Sequence, residues 1–226
     1  MKKGIDLSYA NKVTDWNQVK EAVDFVILRA GYGKNNIDER LVPYAAACIE
    51  NEIPLGLYWF SYAYTPEMAK REAQYCIQQA KKYQVAYPIA FDFEYDSVRY
   101  AERKGVKVTR QLVMDMTLAF CREVKGAGYI PMVYTNKDYA NQYFNLTQLR
   151  EEGYAIWYAY YNKVCNREDM ALWQYTDTGS IPGISGRVDV NISYVDYGDK
   201  SGWIEEADRW KYQKKDGSLC KNCWQE

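Results

Sequence analysis

The chain has 226 residues, ample for one large domain with a real core or for one domain plus a small appendage, and its formal net charge is −1. That balance offers no basic field for nucleic acid and no polybasic run for a membrane surface, and no apolar run is long enough to span a bilayer. Histidine is absent, which excludes Ser-His-Asp and Cys-His catalysis and imidazole-held metal.

MKKGIDLSY passes directly into patterned sequence without an apolar leader region, so no signal peptide is visible. Gly4 to Ser8 is the first predicted strand. Asp15 with Gln18 has capping-box spacing for a short helix, and DFVILRAGYG (24–33) is a second strand. A helix follows over 38–52 with Pro43 in its first turn, then a third strand over 53–64. Thr65-Pro66-Glu67 supplies an N-cap, a first-turn proline and an acid at the positive helix end, opening a helix that runs to about Tyr83. The fourth strand spans 87–95 and the next helix 109–126, ending at Gly126 and Gly128. Residues 129–136, 154–161, 170–176 and 185–193 are the remaining predicted strands, with weaker helices between them.

Strands in series with helices after most of the early ones predict an α/β fold, an irregular (β/α) barrel of parallel strands. Its later crossovers are too short for full helices. An open doubly wound sheet is the alternative, but no Gly-rich phosphate loop follows the first strand.

The chain carries 23 Tyr and 7 Trp against 6 Phe. Tyr and Trp join an apolar face to a hydrogen-bonding edge, which suits a sugar ring better than a plain core does. Cys48, Cys76, Cys121 and Cys165 lie in patterned segments, where free cysteine acts as a small buried hydrophobe. Cys220 and Cys223 form one CxxC, and zinc would need two further ligands, so no metal and no catalytic cysteine is expected.

In such a barrel the chemistry gathers at the carboxyl ends of the strands. Asp6, Arg29, Tyr58 to Tyr62, Asp92 with Glu94, Tyr134, and Asp189 with Asn191 all stand there. Side chains alternate along a strand, so Asp92 and Glu94 in YPIAFDFEYDS (87–97) point the same way. A D-x-E on the solvent face of an edge strand is the plain alternative, but Phe91, Phe93 and Tyr95 leave neither face open. Close carboxylates walled by aromatics disfavour joint ionisation, so one should keep its proton, the condition for a general acid near neutral pH. Asp96 is expected in a loop past the strand, and Asp115 on the solvated face of a helix.

KGIDLSYANKVTDWNQV, DFVILRAGYG, IPLGLYWFSYA, PIAFDFEYD, IPMVYTN, LWQYTDTG and GISGRVDVNIS together resemble glycoside hydrolase family 25, the Chalaropsis-type lysozymes. The resemblance covers about residues 3–195, and it sets a catalytic barrel at 1–197. It implies hydrolysis of the β-1,4 bond between N-acetylmuramic acid and N-acetylglucosamine in peptidoglycan, without metal or cofactor. On the matching positions Glu94 is the general acid, Asp92 its partner at the substrate acetamido group, and Asp6 and Asp189 complete the acidic floor. A carboxylate nucleophile or an inverting water stays open, because carboxyl separation cannot be read from spacing. Arg29, Tyr58, Trp59, Tyr62, Tyr134, Trp157, Trp173, Tyr175 and Asn191 are the expected substrate contacts. Where the family often has G-x-Y-H-F, this chain has Gly56-Leu57-Tyr58-Trp59-Phe60, so Trp59 is expected to offer a stacking face in place of the histidine.

The last segment, 198–226, resembles one copy of a cell-wall-binding repeat of the choline- or glucan-binding type, through Trp203, Trp210, Tyr212 and Trp224. It is expected to be a small β-hairpin appendage. A single copy cannot bury its own apolar face, and about three usually stack. A hairpin that merely packs on the barrel therefore competes with a working site for a wall polymer. The expected partner is the peptidoglycan glycan strand, the chain acting as a monomer, secreted or wall-associated after loss of a leader, or as a phage endolysin made in the host cytoplasm. Two other readings stand beside the muramidase: a non-catalytic wall-glycan-binding module, and an N-acetylglucosaminidase or chitinase-like hydrolase.

Overall fold

Alternation along each strand sorts the side chains of this chain into an inner and an outer shell, and that sorting decides which residues reach the site. The computed structural model describes residues 1–198 throughout and, beyond them, the backbone of 202–206 and 209–213.

The chain begins with β1 (Lys2–Leu7), the short β2 (Lys12–Val13) and α1 (Trp16–Ala22), whose cap Asp15 accepts from the N–H groups of Asn17 and Gln18. β3 (Phe25–Tyr32) turns through β4 (Asn36–Ile37) into α2 (Leu41–Glu50), and β5 (Leu55–Phe60) leads to α3 (Pro66–Ala80). Thr65 caps α3 through the Met68 N–H, with Pro66 in the first turn where its missing donor costs nothing. Next come β6 (Val85–Asp92), α4 (Tyr95–Arg103), α5 (Arg110–Gly126) and β7 (Pro131–Asn136). Two short helices, α6 (Lys137–Gln142) and α7 (Leu146–Glu151), precede β8 (Ala155–Ala159). β9 (Leu172–Gly179), β10 (Ile184–Ser185) and β11 (Val188–Ser193) follow, and then a hairpin of β12 (Gly202–Glu206) with β13 (Arg209–Gln213).

Helix α4 is absent from the sequence reading. The fourth strand stops at Asp92 rather than 95, Glu94 becomes the N-cap, and Asp96 lies in the first helical turn instead of a loop. The switch is made where the Glu94 N–H donates to Ser97 Oγ at 3.0 Å.

Eight strands close a ring in the order β1-β11-β9-β8-β7-β6-β5-β3, with β1 and β3 pairing to seal it and β4 added outside β3. Within the ring all pairs are parallel except those of β11, which runs antiparallel to both β9 and β1, while the added β4 is antiparallel to β3. The expectation of a wholly parallel barrel fails at this strand. A parallel crossover needs a dozen or more residues, whereas only the link from Gly179 to Val188 is present, so the chain must double back. Pairing of Ile184 with Val13 fastens that link to the β1–α1 loop.

The outer shell, between strands and helices, holds Leu28, Leu57, Trp59, Phe91 and Phe120 among its buried residues. The inner shell holds Phe25, Ile27, Tyr87, Ala90, Met132, Trp157 and Leu172. Phe25 stacks on Tyr87 at 4.3 Å, Tyr197 meets Tyr87 edge-on at 5.4 Å, and together they plug the lower end. Gly4 makes the plug fit, since a Cβ there would stand 2.3 Å from the Phe25 ring. With the bottom sealed by apolar rings, polar inner residues are confined to the upper rim.

Trp59 belongs to the outer shell and corrects one expectation. Tyr58 points inward, so its neighbour points out: Trp59 is fully buried, donates Nε1 to the Gly33 carbonyl at 3.2 Å, and packs where a Cβ on Gly31 would stand 2.7 Å away. It offers no face to a ligand. Replacing Trp59 by Ala should lower unfolding free energy by roughly 3–5 kcal/mol, read as a lower urea midpoint at unchanged slope.

Candidate active site

The upper rim is built from strand-end side chains of the inner shell. Asp6 on β1 is the register partner of Asp189 on β11. Because β11 is reversed, Asp189 stands at the start of its strand and not at the carboxyl end, yet reaches the same rim. Asp6 Oδ2 accepts from Gln174 Nε2 at 2.9 Å and from Asn191 Nδ2 at 2.8 Å. Asn191 Oδ1 accepts from Trp157 Nε1 at 2.8 Å, while Gln174 Oε1 accepts from the hydroxyls of Tyr134 at 2.9 Å and Tyr161 at 3.0 Å. One hydrogen-bonded chain therefore crosses the barrel interior from Trp157 to Tyr161, with Asp6 at its centre.

Burial raises the Asp6 carboxyl above the ordinary range, opposed by hydrogen bonds from Asn191, Gln174 and Asp189. Asp189 is pushed up to about 8, first by burial and then by the charge of Asp6. Two buried carboxyls in register with each other do not both ionise readily, so the pair tends to keep a proton.

Asp92 ends β6 and is the register partner of Phe60 on one side and Tyr134 on the other. It is 5 % exposed, and its Oδ1 is buried without a hydrogen-bond partner among the described residues. Burial lifts its carboxyl well above the usual range, and the nearby Glu94 and Asp6 charges add to this while Arg29 opposes it. Glu94 continues the extended chain to the start of α4, which puts its side chain on the inner face with Asp92. Burial pushes Glu94 up to about 7, the Tyr134 hydroxyl holds it down, and Asp6 and Asp96 raise it further. The rim therefore holds neighbouring carboxyl groups, Asp92 and Glu94, that burial disposes to keep a proton near neutral pH, with Asp92 Oδ1 unpaired among the described residues.

Two hollows lie near these acids, one reaching Asp96 and the other Glu94 and Tyr95. One, of about 390 Å³, is lined by Tyr9, Arg29, Tyr32, Phe60, Tyr62 and Asp96. Its floor is the Arg29 guanidinium, pinned by Nε to the buried Asp38 at 2.6 Å and lying 4.7 Å from the Tyr9 ring and 5.4 Å from the Tyr32 ring. The other, of about 270 Å³, is lined by Glu94, Tyr95, Tyr134, Asn136, Tyr160 and Tyr161. Aromatic walls on both sides of a proton-holding acid suit a chain of sugar rings bound across it.

The structure brings Asp6, Asp92, Glu94, Asp189, Tyr134 and Asn191 together, with Arg29 and Tyr62 in the adjoining hollow. Tyr58 is half-buried and meets Trp157 edge-on at 6.1 Å, below the acids. Trp157, 2 % exposed, orients Asn191 instead of facing a ligand. Trp173 and Tyr175 are turned to the outer shell, since Gln174 between them takes the inward position. The Trp173 Nε1 donates to the Tyr160 carbonyl at 2.7 Å, and its ring lies 5.6 Å from that of Tyr175. Of the tail residues, Trp203, Trp210 and Tyr212 are placed on β12 and β13 by backbone alone, and Trp224, like Cys220 and Cys223, lies outside the described residues. Gln174 and Tyr161 are site residues that the sequence reading missed. Alternation in LWQYT from the apolar Leu172 selects Gln174 as an inward polar residue, but Tyr161 lies just past β8 and carries no such signal.

Comparison with known proteins agrees with this geometry. The profile of Glycosyl hydrolases family 25 matches residues 5–184. The uncharacterized protein YegX of Escherichia coli strain K12 is 26 % identical over 199 residues, covering 84 % of this chain and 68 % of YegX. Among solved structures, the modular autolysin LytC of Streptococcus pneumoniae superimposes with a TM-score of 0.74 at 28 % identity, over 85 % of this chain and 46 % of LytC. The chain thus spans less than half the length of that autolysin. A bacterial lysozyme from Streptomyces coelicolor shares the fold, with a TM-score of 0.70 at 20 % identity, over 85 % of this chain and 92 % of the lysozyme. A barrel closed by one reversed strand, acids at its rim and a family profile across most of its length lead to one conclusion: this chain belongs to glycosyl hydrolases family 25 and is a glycoside hydrolase.

Proposed function

We propose that the chain hydrolyses peptidoglycan at the β-1,4 bond between N-acetylmuramic acid and N-acetylglucosamine. The observation that carries this reading is the buried, unpartnered Oδ1 of Asp92 beside the proton-holding Glu94. Leaving a buried carboxyl oxygen unpaired costs about 1–3 kcal/mol or more, a cost removed when a ligand N–H arrives. The N–H of a substrate acetamido group meets that need. In the reaction, Glu94 gives its proton to the leaving glycosidic oxygen while the acetamido oxygen attacks the anomeric carbon, with Asp92 accepting the amide N–H. Glu94, now ionised, takes a proton from water as that water opens the cyclic intermediate and restores the acetamido group. Asp6, held by Gln174 and Asn191, keeps negative charge beneath the positively charged transition state. The neighbouring LytC has been solved in complex with a synthetic peptidoglycan ligand, which supports a glycan strand as the occupant of this cleft. We further propose the bacterial wall as the place of action, with a wall-polymer contact by the tail, whose Trp203 and Tyr212 are register partners in the β12–β13 backbone hairpin.

Glu94→Gln should reduce lysis of purified walls by about 10²–10⁴-fold while the thermal midpoint holds, and substantial lysis by a folded variant would overturn the assignment. Reducing-end analysis of the released glycan should show new muramic acid ends. New glucosamine ends would point to a glucosaminidase, and no release to a binding module. Because Glu94 must be protonated to act and burial pushes its carboxyl up to about 7, kcat/KM should fall as pH rises through that value. The Tyr134 hydroxyl holds the Glu94 carboxyl down, so in Tyr134→Phe the alkaline limb should move to higher pH, measured as a pH–rate profile.

A further inference from the structure

One buried carboxylate lies outside the acidic rim and takes no part in the chemistry above. Glu72 is on α3, 3 % exposed, and it has no cationic ion-pair partner among the described residues. Its Oε2 accepts from Ser61 Oγ at 2.5 Å and its Oε1 from the Tyr62 N–H at 3.0 Å. Ser61 Oγ in turn accepts from the Ala63 N–H at 3.1 Å. The turn after β5, residues 61–63, is thus hung on a single side chain. At its head the Ser61 N–H donates to the Asp92 carbonyl at 2.7 Å, one step beyond the last register pair of β5 with β6.

An ionised group buried without a cation is a costly way to stabilise a turn, and an apolar residue in its place is often neutral or better. The cost is local here as well: burial pushes the Glu72 carboxyl up to about 7, and only the Ser61 hydroxyl and the Tyr62 N–H draw it back. Asp92, for its part, has one oxygen with no partner among the described residues, so its aim depends on where its main chain is held.

We propose that Glu72 is a positioning residue: through Ser61 it fixes the main chain of Asp92, and through Tyr62 it sets one wall of the Arg29 hollow. This rests on the reading of Asp92 as the group that receives the substrate amide. A misplacement of about 1 Å at such a group can cost on the order of 100-fold in rate.

The test compares the full chain with Glu72→Ala, Glu72→Gln and Ser61→Ala, by hydrogen exchange at the Ser61 amide and by kcat and KM on purified peptidoglycan. In Glu72→Ala the Ser61 amide should exchange at least about tenfold faster and kcat should fall about 10–100-fold, with KM changing far less. Glu72→Gln, which keeps an acceptor for the Tyr62 N–H, should recover most of both, and Ser61→Ala should lose part of each. A merely structural role would lower the thermal midpoint in both Glu72 variants without splitting kcat from KM. Unchanged Ser61 exchange, or kcat within about twofold of the parent in a folded Glu72→Ala, overturns the inference. If Glu72→Ala does not fold, Ser61→Ala and Glu72→Gln decide by the same criteria. If the parent itself releases no glycan, the proposed function falls, and the exchange result alone then decides whether Glu72 tethers Asp92.

Discussion

Asp6 lies on a strand with neighbours of opposite sense, parallel to β3 and antiparallel to β11, and much of the site follows from that seam. Reversal of β11 brings Asp189 into register with Asp6 and sets Asn191 one inward position below it, where its amide can reach Asp6 Oδ2. The same reversal places β9 on the far side of β11, so that Gln174 approaches the same oxygen from the next strand. Without the seam the two acids and the two amides would have no common meeting point. A polar network that is fully satisfied can be buried, and its members hold one another in place.

The buried acids of the rim are held at a cost to stability. Glu94 and Asp189 have carboxyl values raised by burial, so their contribution to folding is complete only at pH below the ordinary carboxyl range and is lost as pH rises through about 7 and about 8. The sealed lower barrel and the helix-covered outer shell offset that loss with apolar burial. Sites that keep charged groups dry and close are usually supported by such rigid surroundings.

The aromatic residues divide by location rather than by type. Phe25 and Tyr87 close the base, Trp59 and Phe91 fill the outer shell, and Tyr9, Tyr32, Tyr62, Tyr95 and Tyr161 stand along the cleft. Trp157 works between these groups, its ring in the inner core and its N–H on Asn191. Composition alone suggested ligand-facing aromatics; tyrosines line the two hollows, whereas Trp59 and Trp173 spend their N–H groups on main-chain carbonyls.

Local patterning settled a good deal in advance. Short apolar strands, capped helices and polar residues at strand ends are properties of nearby residues, so the barrel, the caps at Asp15 and Thr65, and the inward pairing of Asp92 with Glu94 were legible from the order of amino acids. Tertiary structure alone decided the direction of β11, the inward turn of Gln174 between two outward aromatics, and the reach of Glu72 to the turn behind Asp92. Strand sense is set by how much chain is available to cross the sheet, and the face a residue shows is set by the register of its partners. A hydrogen bond from one element to another depends on their packing, which no short stretch of sequence contains.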